Sequence, residues 1–94
     1  MRITEIMTVQ NPLGLSMRAA AELVQLSSRF QSRISIRNKD GPVDSRSILG
    51  LLGLGAAHGA ELELTFDGND AGEARSAFKN YFTSGFLASA VNTT

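Results

Sequence analysis

Apolar and polar positions alternate strictly in two stretches of the chain. In "SRISIR", residues 32 to 37, Ile34 and Ile36 point one way while Arg33, Ser35 and Arg37 point the other. In "ELELTF", residues 61 to 66, Leu62, Leu64 and Phe66 share one face. A period of two over five or six residues predicts strands with one face solvated. "ITEIMTV", residues 3 to 9, is rich in β-branched residues and ends at "QNPLG", where Asn11, Pro12 and Gly14 punctuate the chain, so it reads as a first strand followed by a loop. From Met17 to Phe30 the period changes: Ala20, Leu23, Val24 and Phe30 recur at helical spacing, with Glu22, Gln25 and Arg29 on other faces. The turn "NKDGP" carries the hairpin dipeptide Asp40-Gly41 and leads to a short strand near Val43. After "DGND" a last helix is expected, with Asp70 as N-cap, Glu73 three residues on as in a capping box, and an apolar stripe of Ala71, Ala74, Phe78 and Phe82.

The stretch between Ser47 and Gly59 is a third, short helical segment with an unusual make-up. It holds Ile48, Leu49, Leu51, Leu52 and Leu54, the glycines Gly50, Gly53 and Gly55, and no charged residue unless His58 is protonated. A helix of about two turns offers only one face to a core, so these five apolar side chains cannot all be buried by their own fold. An exposed apolar patch is expected, and such patches mark partner surfaces. The competing reading is that all the leucines are core and the glycines permit close packing. The element order β-α-β-β-α-β-α predicts an α+β fold in which helices cover one face of a mostly antiparallel sheet. The final "ASAVNTT" reads as a frayed tail, which sets one domain over residues 1–87 and a flexible segment over 88–94.

Composition narrows the function classes. A chain of 94 residues with 43% hydrophobic content supports one compact core. Nine Lys and Arg balance nine Asp and Glu, so no overall field draws nucleic acid or an anionic membrane. Without cysteine there is no thiol chemistry, and with a single histidine there is no metal-ligand spacing. No cofactor is expected: "GLLGLG" has neither the lysine of a P-loop nor a preceding long strand. The longest apolar run, Ile48 to Ala57, is about half of the ~20 residues that span a bilayer, and no basic-then-apolar leader opens the chain. A cytoplasmic protein is the expectation.

"GLSMRAA", residues 14 to 20, places a serine and an arginine where the first helix begins. Ser16 suits an N-cap, its hydroxyl accepting from an amide of the first turn. The same helix start also favours an anion through its free amides and dipole, and Arg18 adds a positive fork. Both readings of Ser16, Met17 and Arg18 stand on the residues alone.

Two longer blocks, "NPLGLSMRAAAELVQLSSRF" and "SRSILGLLGLGAAHGAELELTFDGNDAGEA", resemble the HPr family, the histidine-containing phosphocarriers of the bacterial phosphoenolpyruvate:sugar phosphotransferase system. The resemblance runs from about residue 3 to residue 86. It implies an open-faced β-sandwich of four strands with three helices on one side, and a protein that carries phosphate without catalytic turnover of its own. It also implies partners of the enzyme I and EIIA kinds, with an HPr serine kinase or a transcriptional regulator as further candidates. The family typically reads Gly-Leu-His-Ala-Arg-Pro-Ala where this chain has Gly14, Leu15, Ser16, Met17, Arg18, Ala19 and Ala20. By that resemblance Ser16 stands where the family has its phospho-accepting histidine. Ser47 suits an N-cap for the segment from Ile48 onward; by the resemblance it also matches the serine that a kinase phosphorylates in many family members, and Met17, Arg18, Ile48, Leu49 and Leu52 fall on the family's docking surface.

The substitution changes the chemistry. An imidazole nitrogen is a nucleophile near neutral pH, and its phosphoramidate is a reactive donor. A serine hydroxyl needs a general base, and its phosphate ester is a poor donor. No base is close in sequence, Glu22 being about a turn and a half along the helix. The expected function is therefore a binding or regulatory member of the phosphotransferase network that docks partners without relaying phosphate. The alternative is a phosphocarrier with an unusual acceptor, Ser16 or His58, the latter read as a solvated turn residue.

Overall fold

A computed structural model describes residues 1–87 of the chain. The elements run β1 (Arg2–Thr8), α1 (Met17–Ser27), β2 (Arg33–Asn38), β3 (Gly41–Asp44), α2 (Ile48–Gly53), β4 (Glu61–Asp67) and α3 (Ala71–Thr83). The four strands form one sheet in the order β1-β4-β2-β3, and all three pairings are antiparallel. The α+β order expected from the periodicities is the observed one. The tail assigned to residues 88–94 lies outside the described residues.

The alternation in β2 and β4 sets the layers. Ile34 and Ile36 of β2 meet Phe66 and Leu64 of β4 in register, and all four side chains are buried on one side of the sheet. Leu23 and Leu26 of α1, Leu51 of α2, and Phe78, Tyr81 and Phe82 of α3 close that side into a single core. On the other side Ile6, Glu63 and Arg37 share a row across β1, β4 and β2, and of these Ile6 and Arg37 are exposed. This is why three helices fit on one face and the other stays open: a one-residue slip in β4 would put its apolar set into water.

Two local expectations are corrected. The first helix ends at Ser27 and not at Phe30. Phe30 matches the helical period, but it packs against the core from the loop that follows. The last turn tightens, the Arg29 amide donating to Leu26 and the Phe30 amide to Ser27, both at 3.2 Å, and the Arg46 guanidinium donates to the carbonyls of Ser27 (3.2 Å) and Phe30 (2.7 Å). Beside it the buried hydroxyls of Ser27 and Ser45 meet at 2.6 Å.

Asp70 is the second correction. It stands at the N-cap position of α3 but makes no side-chain bond to that helix, so the capping box with Glu73 does not form. Its carboxylate instead accepts from the amides of Gln31 and Ser32, both at 2.9 Å, and from the Ser32 hydroxyl at 2.5 Å. It thereby clips the α1–β2 loop to the start of α3. These bonds, led by the Ser32 hydroxyl and then the Gln31 amide, hold the carboxyl below its ordinary pKa. A depressed carboxylate pKa stabilises the fold above the unfolded value and loses that contribution as pH falls through the folded one. Asp70→Ala is accordingly expected to lower the urea midpoint at neutral pH, with the gap to the parent closing below about pH 4; a gap that stays constant down to strong acid would contradict the clip.

The chain turns back after α3 through Gly85 (φ 72°) and Phe86 (φ 64°), a left-handed pair. That conformation is uncommon for a side chain as large as phenylalanine. It is held because Phe86 is buried, stacked on Tyr81 and edge-on to Phe82, both at 5.0 Å between ring centres. The core thus extends beyond α3 as far as Phe86.

Candidate functional site

Residues 14–18 are placed by backbone contacts with the turn after α2. The Leu15 amide donates to the Ala56 carbonyl at 2.9 Å. Gly14 has φ +71°, and a Cβ there would lie 2.6 Å from the same carbonyl oxygen, so only glycine permits this approach. The stretch "LSMR" is therefore held against residues 56–57 before α1 begins. His58 lies in that turn, exposed to solvent.

Ser16 is the N-cap of α1: its backbone is extended and its Oγ accepts from the Ala19 amide at 3.3 Å. The amides of Met17 and Arg18 have no acceptor among the described residues. Two free donors and the positive end of an 11-residue helix thus stand beside the serine. The cap links two positions of the stretch, since Ser16 needs an N–H at position 19, which Ala19 supplies and a proline would lack.

Arg18 is turned away from this helix start. Its Nη1 lies 2.7 Å from Glu22 Oε1, and the Tyr81 hydroxyl donates to the same oxygen. Burial, then the neighbouring Glu22 carboxylate, pushes the Tyr81 hydroxyl above its ordinary pKa, so it remains the donor. Glu22, the nearest carboxylate in sequence, is thereby committed to two donors and is not positioned as a base for Ser16. Sequence reasoning missed this link, because Glu22 and Tyr81 are 59 residues apart.

Ser47 caps α2, accepting from the Gly50 amide at 3.0 Å. It lies at the far end of the helix pair. The turn after α2 touches the start of α1, whereas Ser45 and Arg46 bind the end of α1, so α1 and α2 run antiparallel. An 11-residue helix is on the order of 16 Å long, and Ser16 and Ser47 sit at opposite ends of it. The structure therefore joins Ser16, Met17 and Arg18 into one place and leaves Ser47 in another.

The apolar segment divides as its geometry requires. Leu51 and Leu54 are buried, Leu52 packs half-buried against the core, and Ile48 and Leu49 are exposed to 38% and 80%. Gly50 also permits close packing, since a Cβ there would lie 3.1 Å from Val43 Cβ. Both expectations for this segment hold in part. Met17 is 67% exposed and Leu13, which the sequence reading did not single out, 82%. A leucine inside a Pro- and Gly-bounded turn has no helix or strand face to bury it, and that was the available signal.

Among the described residues no group of three or more His, Asp or Glu side chains is arranged to hold a metal, and no helix is long and apolar enough to cross a membrane.

Comparison with known proteins agrees with this geometry. The family model described as "PTS HPr component phosphorylation site" matches residues 3–84. The phosphocarrier protein HPr of Xylella fastidiosa is 39% identical over 80 residues, covering 85% of this chain and 90% of its own. The crystal structure of HPr from Bacillus anthracis superposes with a TM-score of 0.82 at 32% identity, over 86% of this chain and 96% of that one. The Bacillus subtilis catabolite repression protein Crh, described as a swapped dimer, gives 0.71 at 33% identity, over 84% and 91%.

Proposed function

The chain belongs to the HPr family, phosphocarriers of the bacterial phosphotransferase system that do not catalyse a reaction of their own, and we propose that this member binds and regulates without relaying phosphate. The observation that carries the reading is the Ser16 hydroxyl. Its oxygen accepts from the Ala19 amide, its proton has no acceptor among the described residues, and Glu22 is held by Arg18 and Tyr81. The docking residues of this reading are the exposed Met17 and Arg18 at the start of α1, and the exposed Ile48 and Leu49 with the half-buried Leu52 on the antiparallel α2. Partners of the enzyme I and EIIA kinds fit these residues, in the cytoplasm. A serine kinase acting on Ser47 and a transcriptional regulator reading the result are further candidates. Crh offers a parallel, since its name ties a protein of this fold to catabolite repression.

The alternative is a phosphocarrier that accepts at Ser16 or His58, the latter exposed in the turn bonded to Leu15. Incubation with phosphoenolpyruvate and the host's enzyme I, and separately with ATP and a host HPr kinase, separates the two readings by intact mass. No phosphate is expected from enzyme I. A stoichiometric acid-labile adduct would place the relay on His58 and overturn the proposal, and an acid-stable one on Ser16 would do the same. An acid-stable adduct from the kinase at Ser47 supports regulated docking.

A further inference from the structure

Glu5 lies on the helix-covered side of β1, between Ile3 and the buried Met7, and two cations of α3 converge on it. Arg75 Nη1 stands 3.3 Å from one carboxylate oxygen and Lys79 Nζ 3.4 Å from the other. One positive charge is left over, and Arg75 keeps a buried Nε without a partner among the described residues. We propose that the outer edge of β1 and this flank of α3 form a docking groove, separate from the residues on α1 and α2, which takes an extended acidic segment of a partner protein by β-strand addition.

The backbone supplies the first requirement. β1 is an edge of the sheet, and its bonds to β4 fall on odd positions: the Gly68 amide donates to Met1 and the Val9 amide to Ala60, in the register that pairs Glu5 with Leu64. Along an edge strand in an antiparallel sheet every second residue turns its N–H and C=O outward. In β1 these residues include Thr4, Ile6 and Thr8, whose outward groups have no partner among the described residues. The opposite edge is protected, since β3 is four residues long and contains Pro42. β1 has seven residues, no proline, and an Ile6 that is 60% exposed. It is the edge left open to a further strand.

The groove selects the occupant. Between β1 and α3 lies a cavity of about 170 Å³ lined by Met7 and Phe82, with Glu5, Lys79 and Thr83 around them. In an added strand, residues opposite Thr4, Ile6 and Thr8 share the open face of the sheet, and those between them point toward this cavity. The first set meets Ile6, which favours β-branched side chains. The second set meets Lys79, and the surplus positive charge favours a carboxylate. A second copy of this chain is the poorer occupant: two-fold pairing of β1 with β1 gathers Arg75 and Lys79 of both copies on one side of the joined sheet and doubles the surplus.

The probe is a heptapeptide of alternating valine and glutamate with valine at both blocked ends, and its control carries lysine in place of glutamate. Each is titrated into the full chain and read by backbone amide shifts and hydrogen exchange at Thr4, Ile6 and Thr8. The glutamate peptide is expected to give saturable shifts and slowed exchange at these three amides, and the lysine peptide to bind about tenfold more weakly. Lys79→Ala should weaken the glutamate peptide about two- to fivefold, the range of an exposed ion pair, and Lys79→Glu should reverse the preference between the peptides. Ile6→Pro deletes one outward N–H without touching the bonds to β4 and should abolish binding. The Lys79 variants leave the strand unchanged, so they test the groove however Ile6→Pro folds. Equal affinity for the two peptides, or an unchanged preference in Lys79→Glu, overturns the proposal, as do shifts confined to Ile48 and Leu49. Absence of a saturable shift at the β1 edge with either peptide overturns it as well. Sedimentation velocity tests the other occupant: a dimer of the parent chain that Ile6→Pro abolishes would assign the edge to a second copy and overturn the proposal.

Discussion

Ser16→His combined with Met17→Ala and Ala19→Pro is expected to be phosphorylated by enzyme I and phosphoenolpyruvate, and the parent chain is expected to take up none. The backbone that would receive the phosphoryl group is already in place: Leu15 is tied to Ala56, the Met17 and Arg18 amides are unbonded, and α1 begins at residue 17. A new imidazole at position 16 stands at the positive end of that helix and restores the nucleophile. The single Ser16→His variant should react detectably but slowly, because it leaves the Ala19 amide without its acceptor and keeps the bulky Met17 beside the site. Losing a serine N-cap costs about 0.5–2 kcal/mol. Proline at 19 removes the orphaned donor and adds a fixed φ in the first turn.

The two positions should therefore be coupled. Ala19→Pro in the parent breaks the Ser16 cap and is expected to destabilise by about 1 kcal/mol, whereas in the Ser16→His background it should be neutral or stabilising. Urea denaturation of the four chains in the cycle measures the coupling, and time-resolved intact mass measures the phosphorylation. A triple variant that folds normally and stays unphosphorylated would mean that the docking face no longer accepts enzyme I.

Leu49→Asp is expected to remove partner binding while leaving the fold almost unchanged. Leu49 is 80% exposed, and as the second residue after the Ser47 cap it occupies a place where a carboxylate is favoured by the helix dipole. The expected stability change is within about 0.5 kcal/mol. A charge in the middle of an apolar docking face should cost at least about 2 kcal/mol, close to a thirtyfold loss of affinity for an enzyme I or EIIA partner. Leu51→Ala is the contrasting variant: Leu51 is fully buried, and its truncation should cost about 2–5 kcal/mol of stability. Titration calorimetry with the partner, set beside urea midpoints of both variants, distinguishes them. Unchanged partner affinity in Leu49→Asp would show that the face around Ile48 and Leu49 is not the one used.

How far the chain could be read in advance depended on the range of the forces involved. Ile34 and Ile36, then Leu62, Leu64 and Phe66, named the buried side of the sheet, because burial of a strand face must repeat every second residue. Ser16 and Ser47 were legible as caps, since a cap bond spans three residues of one chain segment. Asp70 was misread for the complementary reason. Its spacing to Glu73 has the local form of a capping box, but the carboxylate found better donors at Gln31 and Ser32, 39 and 38 residues away. Phe30 fits a helical period, but the helix ends at Ser27, where Arg46 from another segment binds the carbonyls of Ser27 and Phe30.

By itself the sequence determined the element order, the buried face of β2 and β4, the serines that start two helices and the hydroxyl, in place of an imidazole, at position 16. Each of these follows from residue type and spacing within one turn or one strand. Only the tertiary structure decided that Ser47 stands at the opposite end of the helix pair from Ser16, that Leu52 is drawn toward the core while Leu49 is left in water, and that the Tyr81 hydroxyl binds Glu22. Those outcomes are set by which segments the shared core brings together, and contacts between residues 18 to 59 positions apart leave no periodic trace along the chain.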